Sequence, residues 1–233
     1  MITIRRGSER GHLDHGWLDA YHTFSFGDYH DPRHVRYRTL RVMNEDRIAP
    51  ATGFPRHPHR DMEILTYVLE GALRHEDSTG GGGVIGAGEW QHMSAGTGVE
   101  HSEANASRTE PVHLYQIWIF PDRKGRAPGY GQRTFDPAGR RDRWQTVAAP
   151  GGPDGAFAIG QDARVLVADL GAGRSLEHAL ADGRGAWLQV LRGEARLGEH
   201  TLHAGDGAAI DGEAAVRVAA AGAGAELLLF DLA

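Results

Sequence analysis

Apolar residues in this chain gather in short runs and do not recur every three to four positions. Glu63 to Leu69, Val112 to Phe120, Arg164 to Leu170, Trp187 to Leu191 and Glu226 to Leu232 are rich in Val, Ile, Leu and aromatic residues, and Gly, Pro or Asp punctuates most of them. Runs of this length between turn residues predict many short strands, because branched and aromatic side chains fit a pleated, half-buried surface. The expected fold is therefore all-β, a sandwich or barrel and not a parallel α/β sheet.

The pattern lapses between Pro121 and Arg143, where three prolines, four glycines and seven Lys or Arg occupy 23 residues without apolar alternation. A linker over 123–143 is expected there, between an N-terminal domain of residues 1–122 and a C-terminal domain of residues 144–233. Across it the sequence echoes itself. Val68-Leu69-Glu70-Gly71-Ala72 answers to Val190-Leu191-Arg192-Gly193-Glu194, and Ala87-Gly88-Glu89 to Ala204-Gly205-Asp206. The offsets, 122 and 117 residues, point to a duplicated antiparallel domain.

Composition narrows the chemistry. The 233 residues include no Cys, which excludes disulfides, thiolate metal sites and a cysteine nucleophile, so any metal must be held by nitrogen and oxygen. A net charge of −6 argues against a sequence-independent grip on nucleic acid or an anionic membrane. The N-terminus lacks the apolar stretch of a secretory signal, and the expectation is a soluble, cytoplasmic monomer with a small-molecule partner.

Histidine carries the functional signal, since eleven of the 14 lie between His12 and His113. In Gly53-Phe54-Pro55-Arg56-His57-Pro58-His59 two imidazoles stand at i and i+2. On a helix they would diverge, whereas on a strand they share a face, and Pro58 disfavours helix. Val99-Glu100-His101-Ser102-Glu103 repeats the spacing with an imidazole and a carboxylate. Two such pairs on neighbouring strands offer three nitrogens and one oxygen to a borderline divalent ion: Fe(II) first, with Ni, Mn, Co, Cu and Zn as competitors. Four protein ligands leave open positions on an octahedral ion.

With Gly53, His57, His59, Glu63 and Gly71 the chain resembles the cupins, and within them the pirins, including bacterial pirin-like quercetin 2,3-dioxygenases. The resemblance runs through His57 to Gly71, Met93 to Gly98, His101-Ser102-Glu103 and His113 to Ile119, and outward to Gly16-Trp17-Leu18-Asp19 and Leu228 to Leu232. It implies a bicupin of two antiparallel, jelly-roll β-barrels, with one divalent metal per chain held by His57, His59, His101 and Glu103. Glu63, a ligand in many cupins, shares the strand parity of His57 and His59. It is the alternative carboxylate, or a residue hydrogen-bonded to a ligand. The repeat offsets carry the four ligand positions onto Ala179, Ala181, Val218 and Ala220, so the second domain is expected to be metal-free.

The resemblance further implies a dioxygenase that opens the heterocycle of a flavonol such as quercetin with dioxygen and releases carbon monoxide, Glu103 accepting the proton of the 3-hydroxyl. Two other readings share the site. One is a metal-binding, redox-sensitive regulator acting through protein contacts, as implied by eukaryotic pirins; the other is a different metal-dependent reaction such as isomerisation. An apolar cavity above the ligands separates the enzyme from the regulator. His12, His15, His22, His30, His34, His92 and His113 are expected to be structural. Gly80 to Gly83 is expected to be a hairpin loop, and Arg140-Arg141-Asp142-Arg143 a solvated connector.

Overall fold

The computed structural model describes residues 1–233. Its strands, numbered in chain order, begin with β1 (Ile2–Arg5), β2 (Gly11–Asp14), β3 (Leu18–His22), β4 (Leu40–Ile48), β5 (Gly53–His59), β6 (Glu63–Glu70), β7 (Ala72–Asp77), β8 (Gly82–Gly86), β9 (Glu89–Ser94) and β10 (Val99–Asn105). They continue with β11 (Val112–Ile119), β12 (Gly129–Thr134), β13 (Gln145–Ala149), β14 (Phe157–Ala158), β15 (Ala163–Gly171), β16 (Ser175–Ala179), β17 (Gly185–Leu197), β18 (His200–His203), β19 (Gly207–Asp211) and β20 (Ala215–Leu232). The remaining regular structure is three single 3-10 turns, so the chain is nearly all-β, as its patterning predicts. No helix is long and apolar enough to cross a membrane.

The chain forms two compact units. One holds Gly11–Arg36 and Leu40–Phe135; the other holds Met1–Arg10, Tyr37–Thr39 and Asp136–Ala233. The first is built on a seven-stranded sheet, β12-β9-β6-β11-β4-β3-β2, and a four-stranded sheet, β5-β10-β7-β8. Strand β6 lies between β9 and β11 and is buried on both faces from Glu63 to Leu69, which explains its continuous apolar run. Leu18, Ala20, Ile48, Val68, Leu73, Ile85, Val112 and Leu114 fill one end of the unit as a core, and Ile64, Met93, Ala95 and Val99 form a second cluster. Ser78 to Gly81 connects β7 to β8, so the glycine run is a hairpin that continues into β8.

The second unit is a nine-stranded sheet in which β1-β19-β17-β20-β15-β13-β14 run in order, with β16 paired to β20 and β18 to β17. Leu188, Val190, Leu202, Ile210, Val216, Val218, Leu227 and Leu229 lie in one aliphatic cluster of its core, with Trp144 packed against it. The internal repeat has a structural counterpart. Gly71 and Gly193 adopt φ of 76° and 73°, Gly88 and Gly205 φ of 83° and 88°. At Gly71 a Cβ would press on the Pro111 carbonyl, and at Gly193 on that of Gly224, so both turns require glycine for backbone approach as well as for φ. The β5–β10 pair is matched by β16–β20, where Leu176 faces Val218.

Two boundaries differ from expectation. The segment read as a linker over 123–143 includes β12, which pairs with β9 from Gly129 to Thr134; as an edge strand it needs no apolar alternation, which hid it. At the other end β1 pairs with β19, which assigns the first ten residues to the unit formed mainly by the C-terminal half. The basic segment is also no mere solvated connector. Arg140 donates from Nε to Asp169 at 2.8 Å and approaches Glu226 at 3.5 Å.

Candidate metal centre

Strand β10 alternates buried and open positions, so His101 and Glu103 point inward while Glu100 and Ser102 point away. On one side His101 stands opposite His57 of β5; on the other, Glu103 stands opposite His75 of β7. A bulge between His101 and Glu103 shifts the β5 register, and His59 follows His57 on the same face. The three rings cluster with centroids 4.4 to 4.8 Å apart, and their nitrogens lie within 4.8 Å of one another. Glu103 groups instead with His75 and His101. All four predicted ligand residues nevertheless line one cavity.

Neighbouring bonds fix the tautomers. His57 Nδ1 donates to the Pro55 carbonyl at 2.8 Å, which leaves Nε2 with its lone pair. His75 is fully buried; its Nε2 donates to Asp77 Oδ2 at 3.3 Å, and its Nδ1 accepts from Gln91 Nε2 at 3.1 Å. That same Nδ1 lies 3.2 Å from His101 Nδ1, which is consequently the protonated nitrogen of His101. The bare Nε2 atoms of His57 and His101 therefore face each other at 3.0 Å. Two lone pairs at that distance repel unless a cation lies between or beside them.

Electrostatics agree. Burial, reinforced by the neighbouring imidazoles, pushes the His59 and His101 pKa values down to about 4, only partly opposed by Glu103, so both rings are neutral at physiological pH. Burial alone would raise the Glu103 carboxyl, but the His75 ring, 3.9 Å from Oε1, and attraction to His101 and His57 hold it below its ordinary range. Gln116 Nε2 donates to Glu103 Oε2 at 2.6 Å, whereas buried Glu103 Oε1 has no hydrogen-bond partner. Neutral imidazoles, an ionised carboxylate and an unpartnered oxygen are the ligand forms a divalent transition ion requires, so the residues fit such an ion.

Glu63 is not part of the cluster. The chain leaves β5 after His59 and turns through Asp61, at φ of 50°, before β6 begins in the other sheet, so strand parity does not carry across. Glu63 accepts instead from His92 Nε2 at 2.6 Å and Ser94 Oγ at 3.2 Å. His113 pairs similarly with Glu45 at 2.9 Å, and His12 pairs with Asp19 at 2.6 Å. Sequence reasoning passed over His75, Asp77 and Gln91; their signal is a His-x-Asp pair on the strand following the Gly71 turn.

Above the histidines opens a cavity of about 360 Å³, within the range of small-molecule sites. Phe26, Phe54, Ile64 and Trp118 provide apolar walls, and the Trp118 ring meets His59 edge-on at 4.8 Å. Asp46, on β4, is buried among Glu103, Glu45 and Asp19; burial first, then these charges, push its carboxyl up to about 8. It is neutral at pH 7.

Two β units, one of which gathers histidines and a glutamate beside an apolar cavity, define a bicupin. Residues 3–119 match the family described as Pirin, and residues 146–232 the quercetinase C-terminal cupin domain. The chain is 46% identical to the quercetin 2,3-dioxygenase of Escherichia coli strain K12 over 232 residues, covering all of this chain and 99% of that one. It is 43% identical to a pirin-like protein of Caulobacter vibrioides, with both chains covered completely. The crystal structure of the bacterial pirin YhhW from E. coli in complex with nickel(II) superposes with a TM-score of 0.94 at 45% identity, covering 100% of this chain and 99% of that one. The chain belongs to the pirin family.

Proposed function

We propose that the protein is a metal-dependent dioxygenase acting on a flavonol such as quercetin, with one divalent ion held by His57, His59, His101 and Glu103. The observation that carries this reading is the facing pair of bare Nε2 atoms at 3.0 Å beside an apolar cavity. Among relatives, the name of the E. coli protein and the nickel complex of YhhW support it. Fe(II) remains the expected ion, and the nickel complex adds weight to Ni(II) among its competitors.

Held by these four residues, the ion would supply Lewis acidity toward a chelating substrate and redox chemistry toward dioxygen. The chain's own residues set the conditions. Phe26, Phe54 and Trp118 take the flat faces of the ring system and exclude water. Glu103 Oε1, ionised and without a hydrogen-bond partner, would exchange between holding the ion and accepting the proton of the 3-hydroxyl, while Gln116 holds Oε2 in place. Deprotonation enriches the heterocycle in electron density for attack by dioxygen, and ring opening releases carbon monoxide. The apolar cavity favours this over a regulator, which needs a recognition surface instead.

The test follows quercetin loss by protein stripped of metal and reloaded with Fe(II) or Ni(II), under air and under nitrogen. Turnover that needs both metal and dioxygen, with carbon monoxide as product, is expected. Stoichiometric metal without turnover in any arm would refute the dioxygenase.

A further inference from the structure

Across the seven-stranded sheet one transverse row is polar on five successive strands. The registers align Gln91 with Thr66, Thr66 with Gln116, Gln116 with Asn44, and Asn44 with His22. All five are buried. The row on one side of it, Met93, Ile64, Trp118 and Val42, is apolar; the row on the other, Val68, Leu114, Asp46 and Ala20, is apolar except for Asp46. A polar line between apolar ones is expensive to bury, and tethering the metal site accounts for only part of it: Gln91 bonds His75, and Gln116 bonds Glu103.

Asn44 and Gln116 of this row, with Asp46 of the next, face the cavity. Asn44, Asp46 and Gln116 line it at 3%, 3% and 8% exposure, yet Asn44 Oδ1, Asp46 Oδ1 and Gln116 Oε1 have no hydrogen-bond partner. Buried side-chain oxygens are seldom left so in native proteins. Resting on the flavonol reading above, we propose that Asn44, Asp46 and Gln116 are specificity-determining residues that accept hydrogen bonds from the edge hydroxyls of an aromatic substrate.

The geometry explains the selectivity. Asn44 and Gln116 are direct neighbours on adjacent strands and can share one hydroxyl. Asp46 lies two residues along β4 on the same face, about 7 Å on, and takes a second. A ring with a single hydroxyl satisfies only one of these stations, and an O-methyl group brings bulk without a donor. Anionic substituents are repelled by the nearby carboxylate of Glu103. Aromatic faces rest on Phe54 and Trp118 while the hydroxylated edge meets the oxygens.

The decisive experiment is calorimetric titration of the metal-loaded protein, under nitrogen so that no turnover occurs, with quercetin and with 3-hydroxyflavone, which lacks the edge hydroxyls. The wild type is expected to bind quercetin roughly tenfold more tightly, as two neutral hydrogen bonds allow. That ratio is expected to fall to about threefold in Asn44→Leu and in Asp46→Leu, and to persist in Asp46→Asn, which keeps an oxygen at the same place. Circular dichroism checks folding. Should the leucine variants not fold, methylating the edge hydroxyls of quercetin must cost the wild type the same roughly tenfold. Equal wild-type affinities, a ratio unmoved in the folded leucine variants, tolerance of methylation, or no binding of either ligand would overturn the proposal. Failure of the dioxygenase reading has a different signature: no dioxygen uptake by the metal-loaded wild type, with the binding ratio intact.

Discussion

Replacing Asp46 with Asn is expected to stabilise the metal-free protein, by an amount that grows with pH. In the unfolded chain the Asp46 carboxyl ionises near 3.8; in the fold burial, Glu103, Glu45 and Asp19 raise it to about 8. A raised carboxyl contributes its full stability below the unfolded value and loses it as pH climbs toward the folded one, because the unfolded chain releases a proton that the native state keeps. From 3.8 to pH 7, at about 1.36 kcal/mol per pH unit, the loss reaches about 4 kcal/mol. Asn is uncharged in both states and retains a side-chain oxygen where Asp46 Oδ1 has no partner, so it avoids this loss without breaking a bond. Urea unfolding of both metal-free proteins at pH 5, 7 and 8.5 reads the difference. His59 and His101 titrate in both and cancel. We expect the variant's advantage to rise by about 1 kcal/mol per pH unit from 5 toward 8 and then level. A pH-independent difference, or a variant less stable at pH 7, would refute this account of the Asp46 environment.

Two further predictions concern the turns and the support of the metal site. Gly193→Ala, which forces a Cβ onto the Gly224 carbonyl at φ of 73°, should lower stability by about 2 kcal/mol or more, whereas Gly198→Ala, at φ of 58° with open space around it, should cost about 1 kcal/mol; thermal unfolding compares them. His75→Phe removes the acceptor for His101 Nδ1 and should weaken metal affinity about 10–100-fold in competition with a chelator, with unchanged affinity excluding a positioning role.

Much of the site was legible because strands preserve parity. His57 with His59, and His101 with Glu103, share faces by spacing alone, and the glycine turns on which the repeat was read return as Gly71 with Gly193 and Gly88 with Gly205. What failed was parity across a break: Glu63 follows His59 by only four residues, but the turn at Asp61 places it in the other sheet. His75 was hidden because its neighbour, Glu103, lies 28 positions away and meets it only through the β7–β10 register. Asn44 and Gln116 resemble ordinary polar residues until their strands are aligned. Their residual signal is a polar residue at the inward parity of an otherwise apolar strand, as in Leu40-Arg41-Val42-Met43-Asn44. The edge strands β1 and β12 carry too little apolar pattern to be read, because each pairs along one side only.

The most direct test of the metal centre is elemental analysis of the purified protein and of His101→Ala after reloading with Fe(II) or Ni(II) and desalting. Close to one ion per chain in the wild type, with almost none in His101→Ala of unchanged circular dichroism, is the result expected. A wild type that retains no ion, or a variant that retains as much, would contradict it.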